Sequence, residues 1–190
     1  MKPPTDDATD QQAEVQSKET AFKGKLISLE LAKVKLPHGA TARMEVVRHP
    51  GSCVIVAMPD AEHVILVRQY RYAVGQFLWE LPAGSLKPGE DARKGAIREC
   101  EEEIRLIPTT VESMGKFFPS PGYLDEYMEL FKMTGLEEPR PGDPVAAQDE
   151  DEHIEVRTVS IREGLEMVKS GEITDLKTAY ALAVIAASGK

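Results

Sequence analysis

The chain has 190 residues, 42% hydrophobic and 29% charged, values of a globular protein long enough to bury a core without staples. A formal net charge of −9 excludes a broad nucleic-acid footprint, which needs a basic face to neutralise phosphates, and no apolar stretch approaches membrane-spanning length. Two cysteines, Cys53 and Cys100, allow at most one bridge and lack metal-ligand spacing, so both read as small core residues.

Residues 1–20 are polar, with almost no large apolar groups, and predict a flexible acidic tail. They contain no apolar core of a secretory signal, so a cytoplasmic setting is expected. Residues 21–190 are expected to form one domain, opening with a β-rich segment over about residues 21–50. Within it, Lys25–Lys35 alternates and Pro37-His38-Gly39 turns the chain into a strand at Ala42–Val47. Cys53–Met58 and Val64–Tyr70 are apolar runs joined through Pro59-Asp60-Ala61-Glu62, which reads as a hairpin. Phe77–Leu81 is a further strand. From Glu90 to Leu106 the period becomes helical, with Ala96, Cys100 and Ile104 on one face and Glu90-Asp91 expected in the first turn. Strands return at Thr109–Phe118 and Tyr127–Thr134. A loop rich in proline follows from Glu137, then a strand at Ile154–Val159 and helices at Ile161–Lys169 and Thr174–Ala187. This order predicts an α+β fold with a mixed sheet flanked by helices.

The Glu90–Leu106 helix carries the chemistry. At 100° per residue, Glu99, Glu102 and Glu103 crowd one face beside the apolar stripe, while Glu101 points elsewhere. Such a face is either a solvated acidic surface with a neighbouring arginine, or a site for a hard divalent cation that prefers oxygen ligands.

A resemblance favours the second reading. Gly84, Glu90, Arg98-Glu99, Glu102-Glu103 and Leu106 stand at intervals that resemble the signature of the Nudix hydrolase family. Two positions depart from it: Cys100 replaces an aliphatic residue, and Arg105 replaces the last glycine, where a side chain opposes a left-handed helix end. The resemblance implies a Nudix-type α/β/α sandwich. It implies Mg²⁺, or Mn²⁺, held by Glu99, Glu102, Glu103 and the backbone carbonyl of Ala83, with Glu90 and Arg98 orienting the helix. It further implies attack of activated water on a diphosphate. A bound cation would also reconcile an acidic chain with an anionic substrate.

The flanks narrow the class. Val67-Arg68-Gln69-Tyr70-Arg71, Trp79-Glu80-Leu81-Pro82-Ala83-Gly84 and Pro119–Glu126 are similar to the ADP-ribose pyrophosphatase branch, over about Leu26 to Ile185. By that resemblance Arg71 reaches substrate phosphate, and Arg68 and Glu126 join it in binding. Read without it, both arginines are exposed strand cations, Trp79 is a core residue, and Glu80 is placed to pair with Arg98. The resemblance also implies a catalytic glutamate on a loop before the late strand. Glu152 matches best, although Glu150-Asp151-Glu152 on its own is a solvated acidic run; Glu102 is the other candidate catalytic carboxylate. The expected partner is a small nucleotide-linked sugar, and the resemblance adds a homodimer. Competing readings are another specificity, such as GDP-mannose, and a non-catalytic nucleotide sensor. Sensors of that kind tend to lose the carboxylates this chain keeps.

Overall fold

The computed structural model describes residues 12–139 and 154–188. Two compact units emerge, one of the chain up to Pro50 together with Ser120–Glu126, the other of Gly51–Pro119 and the chain from Tyr127 onward.

The first unit is an antiparallel sheet of β1 (Glu14–Lys23), β2 (Ser28–Lys35) and β3 (Thr41–Arg48), in that order. Residues 14–20, expected as a flexible tail, form most of β1. The sequence hides this strand because all ten of its residues are exposed and no apolar alternation marks it. Its backbone ladder to β2, interrupted by two irregularities, holds it in place. Ser120–Glu126 adds an ion pair to this unit, Arg48 Nη1 to Asp125 Oδ2 at 3.0 Å, and Asp125 also accepts from the His49 N–H at 2.8 Å.

The second unit holds the remaining elements. Its strands are β4 (Ser52–Ala57), β5 (His63–Arg71), β6 (Gln76–Glu80), β7 (Ala83–Ser85), β8 (Ile107–Phe117), β9 (Met128–Glu137) and β10 (Glu155–Ser160). Its helices are α1 (Ala92–Ile104), α2 (Ile161–Ser170) and α3 (Leu176–Ser188). The strands form two sheets, ordered β10-β5-β6 and β7-β4-β9-β8, with β4 and β9 parallel and the other pairs antiparallel. The expected hairpin is absent: β4 pairs with β7 and β9, and β5 pairs with β10 and β6. Asp60 redirects the chain between them, its Oδ1 accepting from the N–H groups of Glu62 and His63 at 2.8 and 3.0 Å.

The alternation of β4 and β5 explains the layers. Val54, Val56, Val64 and Leu66 pack with residues of α2 and α3. Cys53, Ile55, Ala57, Ile65 and Val67 pack with Ala96, Cys100 and Ile104 of α1. Both faces are covered, so β4 is buried throughout and β5 from Val64 to Val67, and the unit is an α/β/α sandwich whose strands form two sheets, one of them mixed. Each large side chain fully buried here, such as Ile55 or Leu66, contributes up to about 1.5–3 kcal/mol.

α1 is capped by Asp91, which accepts from Lys94 N, so Glu90 precedes the helix instead of occupying its first turn. At the other end Arg105 takes the left-handed conformation it was expected to oppose, φ 59° and ψ 33°. The reward is a cap bond from its N–H to Glu101 O at 3.2 Å, and Leu106 can then turn into the core. A non-glycine residue there costs about 1–2 kcal/mol. Arg105→Gly is therefore expected to raise the unfolding free energy by up to about 1 kcal/mol, measured as a higher Tm. A lower Tm would mean that the arginine side chain repays more than the strain it carries.

Candidate active site

The short segment Pro82–Gly84 fixes where α1 meets the sheet. Pro82 O accepts from Ile55 N at 2.8 Å, and Leu81 N donates to the buried Thr178 Oγ1 of α3 at 2.8 Å. Ala83 N donates to Glu103 Oε2 at 3.2 Å, although Glu103 is only 4% exposed. Gly84 lies under Glu99: a Cβ at residue 84 would stand 2.0 Å from Glu99 Cδ. No larger residue fits without moving that carboxylate. The glycine, whose φ is ordinary, thus leaves room for the end of the Glu99 side chain against the backbone.

Arg98 gathers the other carboxylates. Its Nε and Nη2 bind both oxygens of Glu90 at 3.0 Å each, while Nη1 donates to Glu99 Oε1 at 2.6 Å and Glu102 Oε2 at 2.7 Å. A longer contact runs from Nη2 to Ser85 O at 3.5 Å. These contacts match the five N–H donors of a guanidinium. The Glu90 bond, together with the charge of Glu99, holds the Arg98 pKa well above its usual range, outweighing burial. The same bidentate bond keeps the Glu90 carboxyl below the usual carboxylate range. The orienting pair expected from sequence is thus brought together, and Glu99, Glu102 and Glu103 share the side of α1 next to β7.

Among the described residues no three Asp, Glu, His or Cys groups are already gathered as a metal cage. The donor chemistry nevertheless fits a hard cation. Two carboxylates converge on one guanidinium nitrogen, a third sits one turn on, and the backbone beneath them has no Cβ in the way.

The two arginines of β5 part company, as strand alternation requires. Arg68 pairs with the exposed Glu155 at 3.3 Å and lies over the Phe77 ring at 4.9 Å. Arg71 turns instead to Glu80, with Nε to Oε1 at 2.8 Å and Nη2 to Oε2 at 2.9 Å. Glu80 therefore does not pair with Arg98 as expected; it is 1% exposed and also bonded to Lys177 of α3. Burial pushes its carboxyl up, but Arg71 and Lys177 outweigh that and leave it below the usual range. The charges of Glu103 of α1 and of Asp175 also act on Arg71. Sequence reasoning missed Lys177 altogether. The available signal was an acid in a strand on the side opposite Trp79, which needs a cation to be buried.

Glu126 belongs to the first unit, where its Oε1 lies 3.9 Å from His49 Nδ1. Glu152 lies outside the described residues. Cys53 and Cys100 are both fully buried, as expected, and free. Burial pushes both thiols up to about 12. Neither is expected to react with a thiol reagent at pH 8 until the protein is unfolded; rapid labelling of the native protein would contradict this packing.

An acidic helix held against a glycine-bearing loop, on an α/β/α sandwich, defines the class. The chain belongs to the NUDIX family, with residues 47–178 matching the NUDIX domain. Among its relatives, the ADP-ribose pyrophosphatase of Bacillus subtilis (strain 168) is 37% identical over 169 residues, covering 87% of this chain and 88% of that protein. The methanol dehydrogenase activator of Bacillus methanolicus is 35% identical over 164 residues, covering 86% and 87%. A crystal structure of an ADP compounds hydrolase superposes with a TM-score of 0.77 over 92% of both chains; at 19% identity it speaks to the fold. No helix among the described residues is long and apolar enough to cross a membrane.

Proposed function

We propose that this protein hydrolyses the diphosphate bond of ADP-ribose, or of a related nucleoside diphosphate sugar, to give AMP and a sugar phosphate. The observation that carries this reading is the seating of Glu99 against Gly84 and of Glu103 on Ala83 N, with Glu102 joined to Glu99 through Arg98 and a separately held arginine, Arg71, on Glu80. The relatives named as ADP-ribose pyrophosphatases favour the substrate class.

Glu99, Glu102, Glu103 and the Ala83 backbone would hold the divalent cation, which when bound supplies water activation and charge neutralisation at the diphosphate. Arg98 keeps Glu99 and Glu102 oriented through the short bonds described above. Arg71 presents the guanidinium edge not used by Glu80 to a phosphate oxygen. Glu102, the carboxylate of this set with the most exposed side chain, would accept a proton in this reading. The same reading takes Mg²⁺ as the ion, a cytoplasmic setting, and a homodimer that sedimentation velocity would detect.

The test is a panel of ADP-ribose, GDP-mannose, dinucleotides and nucleoside triphosphates, each with Mg²⁺ or Mn²⁺, with products resolved by phosphorus NMR. ADP-ribose should be cleaved fastest and yield AMP. Preference for a triphosphate would sink the substrate assignment, and cleavage of no diphosphate at all would sink the enzymatic one.

A further inference from the structure

Glu80 is an expensive residue to place where it is. A carboxylate removed from water costs far more than an apolar side chain of the same size, and an interior needing only stability is served as well by the latter. Here it is 1% exposed, and two cations from different elements meet it. Arg71 grips it through both oxygens at 2.8 and 2.9 Å from the end of β5. Lys177 bonds the same carboxylate from the first turn of α3, and its own side chain is 10% exposed. Lys177 is fixed in turn by Asp175 Oδ1 at 3.0 Å, and Asp175 caps that helix by accepting from Thr178 N at 3.0 Å. Thr178 also accepts from Leu81 N, next to Glu80. The result is a closed chain of bonds running from the helix start, through Lys177 and Glu80, to one guanidinium.

At that guanidinium the chain stops. Glu80 uses Nε and Nη2 of Arg71, no protein partner among the described residues takes Nη1, and the side chain is 39% exposed. A long arginine at a strand end would otherwise sample many rotamers, and a planar fork gripped on one edge keeps the other aimed.

We propose that Glu80 is a positioning residue, held by Lys177, that aims the open edge of Arg71 at a phosphate oxygen of the substrate. This rests on the diphosphate-hydrolase reading above. Because Glu80 acts through Arg71, its removal should matter only while Arg71 is present. A residue serving stability alone would leave binding by the folded protein unchanged in either background.

The test is calorimetric titration with Mg²⁺ present, using methylenediphosphonate and α,β-methylene ADP-ribose, neither of which is cleaved. It compares wild type, Glu80→Gln, Arg71→Ala and the pair. Glu80→Gln by itself strands two cations, so Glu80→Gln/Lys177→Met is run beside it, with and without Arg71→Ala. Loss of Glu80 should weaken diphosphonate binding about tenfold when Arg71 is present and less than about twofold when it is absent. Equal losses in both backgrounds, or no loss in either, overturn the proposal, as does a wild type that fails to bind diphosphonate. If the coupling is found but methylene ADP-ribose binds no tighter than diphosphonate, positioning stands and the substrate reading fails.

Discussion

Glu99→Gln and Glu103→Gln are each expected to lower metal-dependent hydrolysis by at least about 100-fold, the upper end of what loss of a mere outer-shell partner costs. An amide keeps the shape but not the negative charge that a hard cation needs. Both should keep most of their stability, for different reasons. Glu99 lies in a like-charged group whose bonds to Arg98 are shared with Glu90 and Glu102, so removing one charge leaves Arg98 well neutralised. Glu103 is buried and accepts from Ala83 N, and an amide can still accept there only if its oxygen faces that N–H. Neither Tm is expected to fall by more than a few degrees. Near wild-type turnover at saturating Mg²⁺ in either variant would show that α1 is not used as proposed.

Arg98→Met is expected to be the most damaging single change for stability in the absence of metal. It removes one cation from three carboxylates whose side chains are only 12–21% exposed. Breaking a buried pair by deleting one partner costs about 3–5 kcal/mol, and partial exposure reduces this to about 2–4 kcal/mol here. The loss should shrink on adding Mg²⁺, because a bound cation replaces part of the missing charge. Equilibrium urea unfolding with and without Mg²⁺ measures both effects. An equal loss in the two conditions would mean that the cation does not bind near Glu99 and Glu102.

The parts of this site that were legible from sequence are those written in local spacing. The intervals from Gly84 to Leu106 place Glu90, Arg98, Glu99, Glu102 and Glu103 on one loop and one helix, and a helix period needs no tertiary information. Helix and strand positions in the second unit followed from apolar periodicity for the same reason. The misses share a different cause. The partners of β4 and β5 depend on long-range pairing that two adjacent apolar runs cannot reveal. Glu80 and Lys177 lie on a strand and a distant helix, so nothing in their spacing announces the bond. β1 is polar throughout, and β7 has only three residues, so neither carries a periodic signal. Arg105 shows the remaining kind of error: a local steric preference was overridden by a cap bond and by the following leucine's place in the core.

The parallel ladder between β4 and β9 governs the order in which the molecule is made. Ser52 pairs with Met128 and Ala57 with Met133, across more than a third of the chain. α1 lies inside that interval and rests on Cys53, Ile55, Phe131 and Met133, which come from both strands. Leu130 of β9 completes the opposite core against Val54 and Val56. Closing so long a loop is entropically slow, and neither core is complete until it has happened. During synthesis the acidic helix therefore leaves the ribosome after β4 but before β9, with only part of the surface that will hold it. Until β9 emerges, the part of its apolar stripe that Phe131 and Met133 will cover is open to other partners, chaperones among them.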